Sequence, residues 1–177
     1  MITLGLTLVA ALGANPPAAA PANAAAFPLG AVRLLDGPFK RAMDRDIAYL
    51  LRLEPDRLLS GFRREAGLEP KAEVYGGWET QGVAGHSLGH YLSACSLAWA
   101  STGDDRFAGR AAYIVDELAA CQTANGNGYV GAIPKGKDAF AAVERGELQV
   151  KSFELNGIWV PWYTEHKVMA GLLDAHA

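Results

Sequence analysis

The residues able to do chemistry fall into a few short strings of this 177-residue chain. The most unusual is Gly85-His86-Ser87-Leu88-Gly89-His90-Tyr91-Leu92. His86, His90, Ser93 and Leu97 follow i, i+4, i+7, i+11 spacing, so a helix places them on one face. Leu88, Tyr91, Cys95 and Trp99 form an apolar stripe facing roughly the other way. Two imidazoles at a helix start, behind a Gly-rich loop, can hydrogen-bond a ligand at a cavity rim. A pair at this spacing can also chelate a metal, but no Glu lies between them in the zinc-protease pattern. Capping or a solvated helix face accounts for them as well.

The second string is Trp159-Val160-Pro161-Trp162-Tyr163-Thr164-Glu165-His166-Lys167. Trp162, His166, Met169 and Leu173 share one helical stripe. That stripe reads either as core, with His166 satisfied among aromatics, or as a sugar-facing surface. In the second case Trp and Tyr rings cover C–H faces and His166 contacts a hydroxyl. The third string, Tyr75-Gly76-Gly77-Trp78-Glu79, puts an aromatic ring and a carboxyl on a loop, where sites are often built. Glu79 alone proves nothing, because glycosidases generally use two groups on opposite sides of the bond. Glu165 is a second carboxyl only in the sense that the other string carries it. Asn125-Gly126-Asn127-Gly128-Tyr129-Val130-Gly131 lacks the Gly-Lys-Ser/Thr ending of a phosphate loop, which argues against nucleotide binding. Cys95 and Cys121 read as buried thiols, with a disulfide between them as the alternative if the chain is exported.

The elements that must position these strings are helical. Phe39, Met43, Ile47, Leu50 and Leu51 recur at helical spacing after Asp36-Gly37-Pro38, which predicts a helix ending near Glu54-Pro55. Pro55 to Leu59 predicts a short second helix stopped by Gly61. Residues 65–85 read as a long loop. The histidine string opens the next helix, ended by Thr102-Gly103-Asp104, and Asp104 or Asp105 caps its successor. That successor carries Phe107, Ala111, Ile114, Val115 and Leu118. Residues 135–151 read as partly helical, and Pro161 suits the first turn of a last helix. No segment alternates cleanly over six residues. The fold class is therefore all-α, a toroid of helical hairpins.

Composition narrows the functions. With 16 basic against 19 acidic residues and a net charge of −3, the chain lacks the basic field of a nucleic-acid binder. Half the residues are hydrophobic, which excludes wholesale disorder. Ile2 to Leu12 is apolar but too short to span a bilayer. It fits a signal-peptide core, and Ala22-Asn23-Ala24 resembles a cleavage site, although the basic start is missing. Residues 1–26 are thus read as a leader, with a secreted or periplasmic protein as the expectation. An Ala/Pro leader without a targeting role, or a misplaced start codon, is the other reading. Leu172 to Ala177 ends in helix-like sequence without a cap, which reads as a fragment.

Five strings in order carry a family resemblance. They are Leu35-Asp36-Gly37-Pro38-Phe39; Asp56-Arg57-Leu58-Leu59 with Ala66-Gly67-Leu68; Tyr75 to Glu79; the Gly-His-x-x-Gly-His-Tyr-Leu-Ser-Ala run; and Trp159 to Leu172. Together they resemble the β-L-arabinofuranosidases of glycoside hydrolase family 127 and its close relatives, over most of residues 32–177. The resemblance implies an (α/α)6 barrel, followed in full-length members by β-sandwich regions. It implies hydrolysis of terminal β-L-arabinofuranosides in plant glycans, with retention. Family members use a zinc-bound cysteine as nucleophile, a glutamate as acid/base, and cysteines and a glutamate to hold zinc. Those residues belong to the later part of the family's barrel, beyond Ala177, and Cys95 and Cys121 do not match them.

What the resemblance transfers is the sugar side of the pocket. His166 falls in the helix that gives the family a substrate-contacting histidine. His86, His90, Trp78, Glu79, Tyr163 and Tyr129, the last in a loop resembling one that approaches the family's pocket, complete the expected substrate-binding set. Twelve helices of roughly 11–12 residues with their loops need well over ~200 residues, so residues 27–177 are expected to form the N-terminal half of the barrel. Zinc is expected in the full-length family and not in this stretch. The expected partner is an arabinose-containing glycan, with no nucleic acid and no membrane span. A toroid-shaped sugar epimerase or polysaccharide lyase, or a non-catalytic carbohydrate-binding fragment, is the competing reading.

Overall fold

The computed structural model describes residues 25–177. The leader reading of residues 1–26 therefore lies outside the described residues, save for its last two positions. The described residues form six α-helices: α1 (Pro38–Leu50), α2 (Pro55–Glu65), α3 (His86–Thr102), α4 (Asp105–Asn125), α5 (Gly136–Glu144) and α6 (Pro161–His176). Proline opens α1, α2 and α6, where its missing N–H falls on a position that has no helical partner. The Asp104 carboxylate accepts from the Arg106 N–H and caps α4. Gly103 and Gly126, both at φ 73°, close α3 and α4 in the left-handed conformation.

α2 does not stop at Gly61 as its sequence predicts; it runs on to Glu65. A Cβ at Gly61 would stand 2.9 Å from the Ala132 Cβ. The glycine is there for close approach of the 126–135 loop, not to break the helix. A small antiparallel meander was not expected either. It comprises β1 (Val150–Lys151), β2 (Glu154–Leu155) and β3 (Ile158–Trp159), with Glu154 opposite Trp159. Strands of two residues are too short to show alternation. Val160, at φ 44°, joins β3 to α6. A β-branched residue rarely adopts that conformation.

α3 is the centre of the domain. Leu88, Leu92 and Cys95 pack with Leu59 and Phe62 of α2, Phe107, Ile114 and Leu118 of α4, and Val168 of α6. Its largest packing partner is α6, followed by α4. The two-residue Gly103-Asp104 connection makes α3 and α4 an antiparallel hairpin. α3 and α6 run parallel: His86 neighbours Tyr163, and Gly89 meets the backbone of Lys167 and Val168. Gly89 and Gly171 allow that crossing. A Cβ on Gly89 would overlap the Lys167 carbonyl, and one on Gly171 would lie 2.5 Å from the Gly89 carbonyl oxygen. Arg110 of α4 ties down the end of α1, donating to the carbonyls of Leu50, Leu51 and Leu53 and to the Tyr91 hydroxyl.

The fold is all-α, as the helical spacing predicts; a closed barrel is not shown by these six helices. Five residues of the stripes read as core lie outside it. Trp99 is 48% exposed, and Trp162, His166, Met169 and Leu173 form an exposed stripe on α6. The core reading of His166 therefore fails. Cys95 and Cys121 are both buried and both free, so the disulfide alternative fails too.

Candidate functional site

Parallel packing of α3 and α6 brings their first turns side by side. Tyr163 of α6 stands against His86 of α3, ring centroids 6.0 Å apart. The Gly77–Thr80 turn adds Trp78, which stacks on Trp159 of β3 at 5.9 Å and meets the edge of His86 at 6.4 Å. Trp78, Val83, His86, Trp159, Val160 and Tyr163 line a groove of about 420 Å³. Trp78, Trp159 and Tyr163 are each more than two-fifths exposed, so their faces are available to a ligand.

Glu79 lies underneath, 7% exposed. The sequence reads it as a loop carboxyl; the structure buries it. One oxygen, Oε2, accepts from the Gly85 N–H at 2.9 Å. The other, Oε1, stands 3.4 Å from His86 Nδ1 and has no aligned hydrogen bond. His86 Nδ1 meets the Val83 carbonyl oxygen at 2.7 Å. His90 is the next imidazole along α3, exposed and edge-on to His86 at 6.1 Å. Its pKa is held below the usual imidazole value, by burial first and then by Lys167 and His86.

A second cluster lies on another side of α6. Glu165 is 8% exposed, and burial raises its carboxyl to a pKa of about 7. The Tyr129 hydroxyl offsets part of that shift without completing a well-formed hydrogen bond. Both its oxygen and Glu165 Oε1 lack a partner of good geometry. Gly131 lets them meet: a Cβ there would overlap the Tyr129 hydroxyl and stand 2.7 Å from Glu165 Oε1. Phe140 packs on Tyr129 at 5.7 Å and on Trp162 at 5.1 Å. Burial also drives the Tyr129 phenol well above its usual range, so it stays protonated.

Of the residues singled out from sequence, the structure gathers Trp78, Glu79, His86, His90 and Tyr163. Tyr129 belongs to the Glu165 cluster and does not line the groove. His166 lies on the exposed face of α6 with Trp162 and Met169. Sequence reasoning missed Trp159, Val160 and Val83 as groove walls. Trp159 sat in a recognised string, and the Asn156-Gly157 turn before it was the one signal that could have aimed it. Glu79 and Glu165, paired in the sequence reading only as two carboxyls, belong to separate clusters.

The donor set does not fit zinc. Among the described residues no group of three His, Cys, Asp or Glu side chains is placed to hold a metal. Burial pushes both thiols up, away from the thiolate that zinc needs. No described helix is long and apolar enough to cross a membrane.

A helical scaffold holding flat aromatic faces and an imidazole over an open groove is chemistry suited to a polyhydroxylated ring. Residues 31–177 match the model of a glycoside hydrolase catalytic domain, described as beta-L-arabinofuranosidase, GH127 catalytic domain. The chain belongs to that family. No curated protein matches it.

Proposed function

We propose that this chain supplies the sugar-binding side of a retaining glycosidase that removes terminal β-L-arabinofuranosyl residues from plant glycans. The observation that carries this reading is the groove itself. Trp78, Trp159 and Tyr163 offer flat faces for the C–H surface of a furanose ring, and His86 adds a polar contact at the wall. His90, Glu79, Tyr129 and His166 are assigned supporting roles: His90 beside the groove, Glu79 through His86, Tyr129 through its loop, and His166 as a contact for a longer glycan along the exposed face of α6. The family's zinc-bound cysteine nucleophile and glutamate acid/base are taken to come from sequence following Ala177. No step of the reaction is assigned to Cys95 or Cys121. The apolar segment Ile2 to Leu12 with Ala22-Asn23-Ala24 supports export to a secreted or periplasmic location.

Two measurements test the reading. The 177-residue chain is titrated with methyl β-L-arabinofuranoside while tryptophan fluorescence is followed. Saturable quenching that Trp78→Ala weakens about tenfold is expected, the loss of one stacking face at roughly 1.4 kcal/mol. A protein extended past codon 177 is assayed on p-nitrophenyl β-L-arabinofuranoside with and without a chelator. Chelator-sensitive release supports the hydrolase; no binding and no release sink it.

A further inference from the structure

We infer that Glu79 is a positioning residue that holds His86 as its Nδ1–H tautomer, leaving Nε2 as a hydrogen-bond acceptor for a ligand hydroxyl in the groove. The ligand clause rests on the glycan reading above; the tautomer clause stands without it.

Two acceptors surround His86 Nδ1. The Val83 carbonyl oxygen, 2.7 Å away, can only accept. Glu79 Oε1, at 3.4 Å, is a second acceptor beside it, out of line for a hydrogen bond and without a partner elsewhere. Two acceptors on one ring edge require a proton there, because an unprotonated Nδ1 would set its lone pair against both. Which nitrogen of a neutral imidazole carries the proton is decided by the bond the other edge makes. Nε2 then holds the lone pair. No side chain or backbone group among the described residues hydrogen-bonds to it, and His86 is a wall of the groove.

The identity of residue 79 follows from the same geometry. One oxygen accepts from the Gly85 N–H, and the other lies 3.4 Å from His86 Nδ1, out of line for a hydrogen bond but turned toward the proton inferred there. A carboxylate accepts at both ends. A glutamine cannot: whichever way its amide turns, an NH2 meets a donor. Burial makes that mismatch costly, since water cannot replace the lost acceptor. Glu79 is thereby a shim between a helix start and an imidazole edge, and it acts on a ligand only through His86.

The test reads the tautomer directly. The full 177-residue chain is labelled with 15N, and the His86 ring nitrogens are observed at about pH 8.5, where a histidine of ordinary pKa is neutral. The expected result is a protonated Nδ1 and an unprotonated Nε2, with the Nδ1–H form in at least about tenfold excess. In Glu79→Gln that excess falls at least about threefold while the helical circular dichroism is retained. Glu79→Asp, one methylene shorter with both acceptors kept, is the second variant if the glutamine protein does not fold, and its excess falls as well. A predominant Nε2–H form in the native protein overturns the inference. So does an unchanged ratio in the folded variant. Adding methyl β-L-arabinofuranoside separates the two clauses. Movement of the Nε2 resonance together with the Trp78 and Trp159 indoles supports the acceptor role. Indole movement with a stationary Nε2 overturns it. A spectrum that ignores the sugar altogether sinks the glycan reading and leaves the tautomer result to stand or fall by the native protein.

Discussion

Glu79 and Glu165 are both carboxyls with under a tenth of their surface exposed, and each has an oxygen without an aligned partner. Their surroundings differ. Glu79 sits between the Gly85 N–H and His86 Nδ1, under a groove open to solvent. Glu165 faces a phenol across a glycine, in a closed cluster, and burial raises it to about 7. The first arrangement is built for a carboxylate. The second holds a carboxyl that is neutral across the acid range. Burial alone does not say what a carboxyl does; the donors at its two oxygens do.

The largest effect removes what the two regions share. Both depend on α6 lying parallel on α3, and that crossing depends on Gly89. Gly89→Val puts a branched side chain where the Lys167 carbonyl already stands. A loss of about 3 kcal/mol or more is expected, with both clusters lost together. Thermal unfolding and the tryptophan signal read it; a native-like melting curve would show the crossing to be dispensable.

The next effect separates the two carboxyls. Glu165 has a folded pKa above its unfolded value of 4.5. The folded state therefore keeps a proton that the unfolded state gives up between those two values. Stability from this group is full below pH 4.5, falls as pH rises to about 7, and then levels off. Glu165→Gln removes that dependence. It is expected to raise stability by up to about 3 kcal/mol at pH 8 and to change little at pH 4. Glu79→Gln has the opposite sign at pH 8, costing about 1 kcal/mol because its amide turns an NH2 toward a donor. Urea titrations of the pair across pH check both signs. Two variants of the same sign would erase the distinction.

The smallest effect is within the closed cluster. Tyr129→Phe removes the hydroxyl that holds Glu165 down slightly, so the stability transition shifts to higher pH. The change at pH 5 is expected to stay within about 1 kcal/mol, because that hydroxyl has no good partner to lose. A midpoint that moves down instead would mean another group dominates Glu165.

The helices were legible because their punctuation is local. Prolines 38, 55 and 161 mark starts, Asp104 marks a cap, and Gly103 and Gly126 mark ends. Gly61 misled for the same reason: a glycine reads as punctuation, and only Ala132, far along the chain, shows that it is a contact. The groove was half legible. His86, Trp78 and Tyr163 stand in unusual strings, but which of them meet depends on the α3–α6 crossing, a long-range fact. His166 shares a string with Trp159 and Tyr163 and still lies on another face, and Tyr129 sits in a loop that contributes no groove wall. The burial of Glu79 left no mark at all in its sequence, where a Gly-rich neighbourhood implies exposure.

Val160 carries a consequence for how the groove assembles. Its left-handed backbone costs about 1–3 kcal/mol unless its neighbours enforce it. Its N–H donates to the Phe153 carbonyl, and its own carbonyl accepts from the Tyr163 and Thr164 N–H groups. The meander and the opening turn of α6 therefore brace one another across a single reluctant residue. Trp159 on one side of that joint and Tyr163 on the other are coupled through it, so an opening that releases one wall of the groove removes the support of the other.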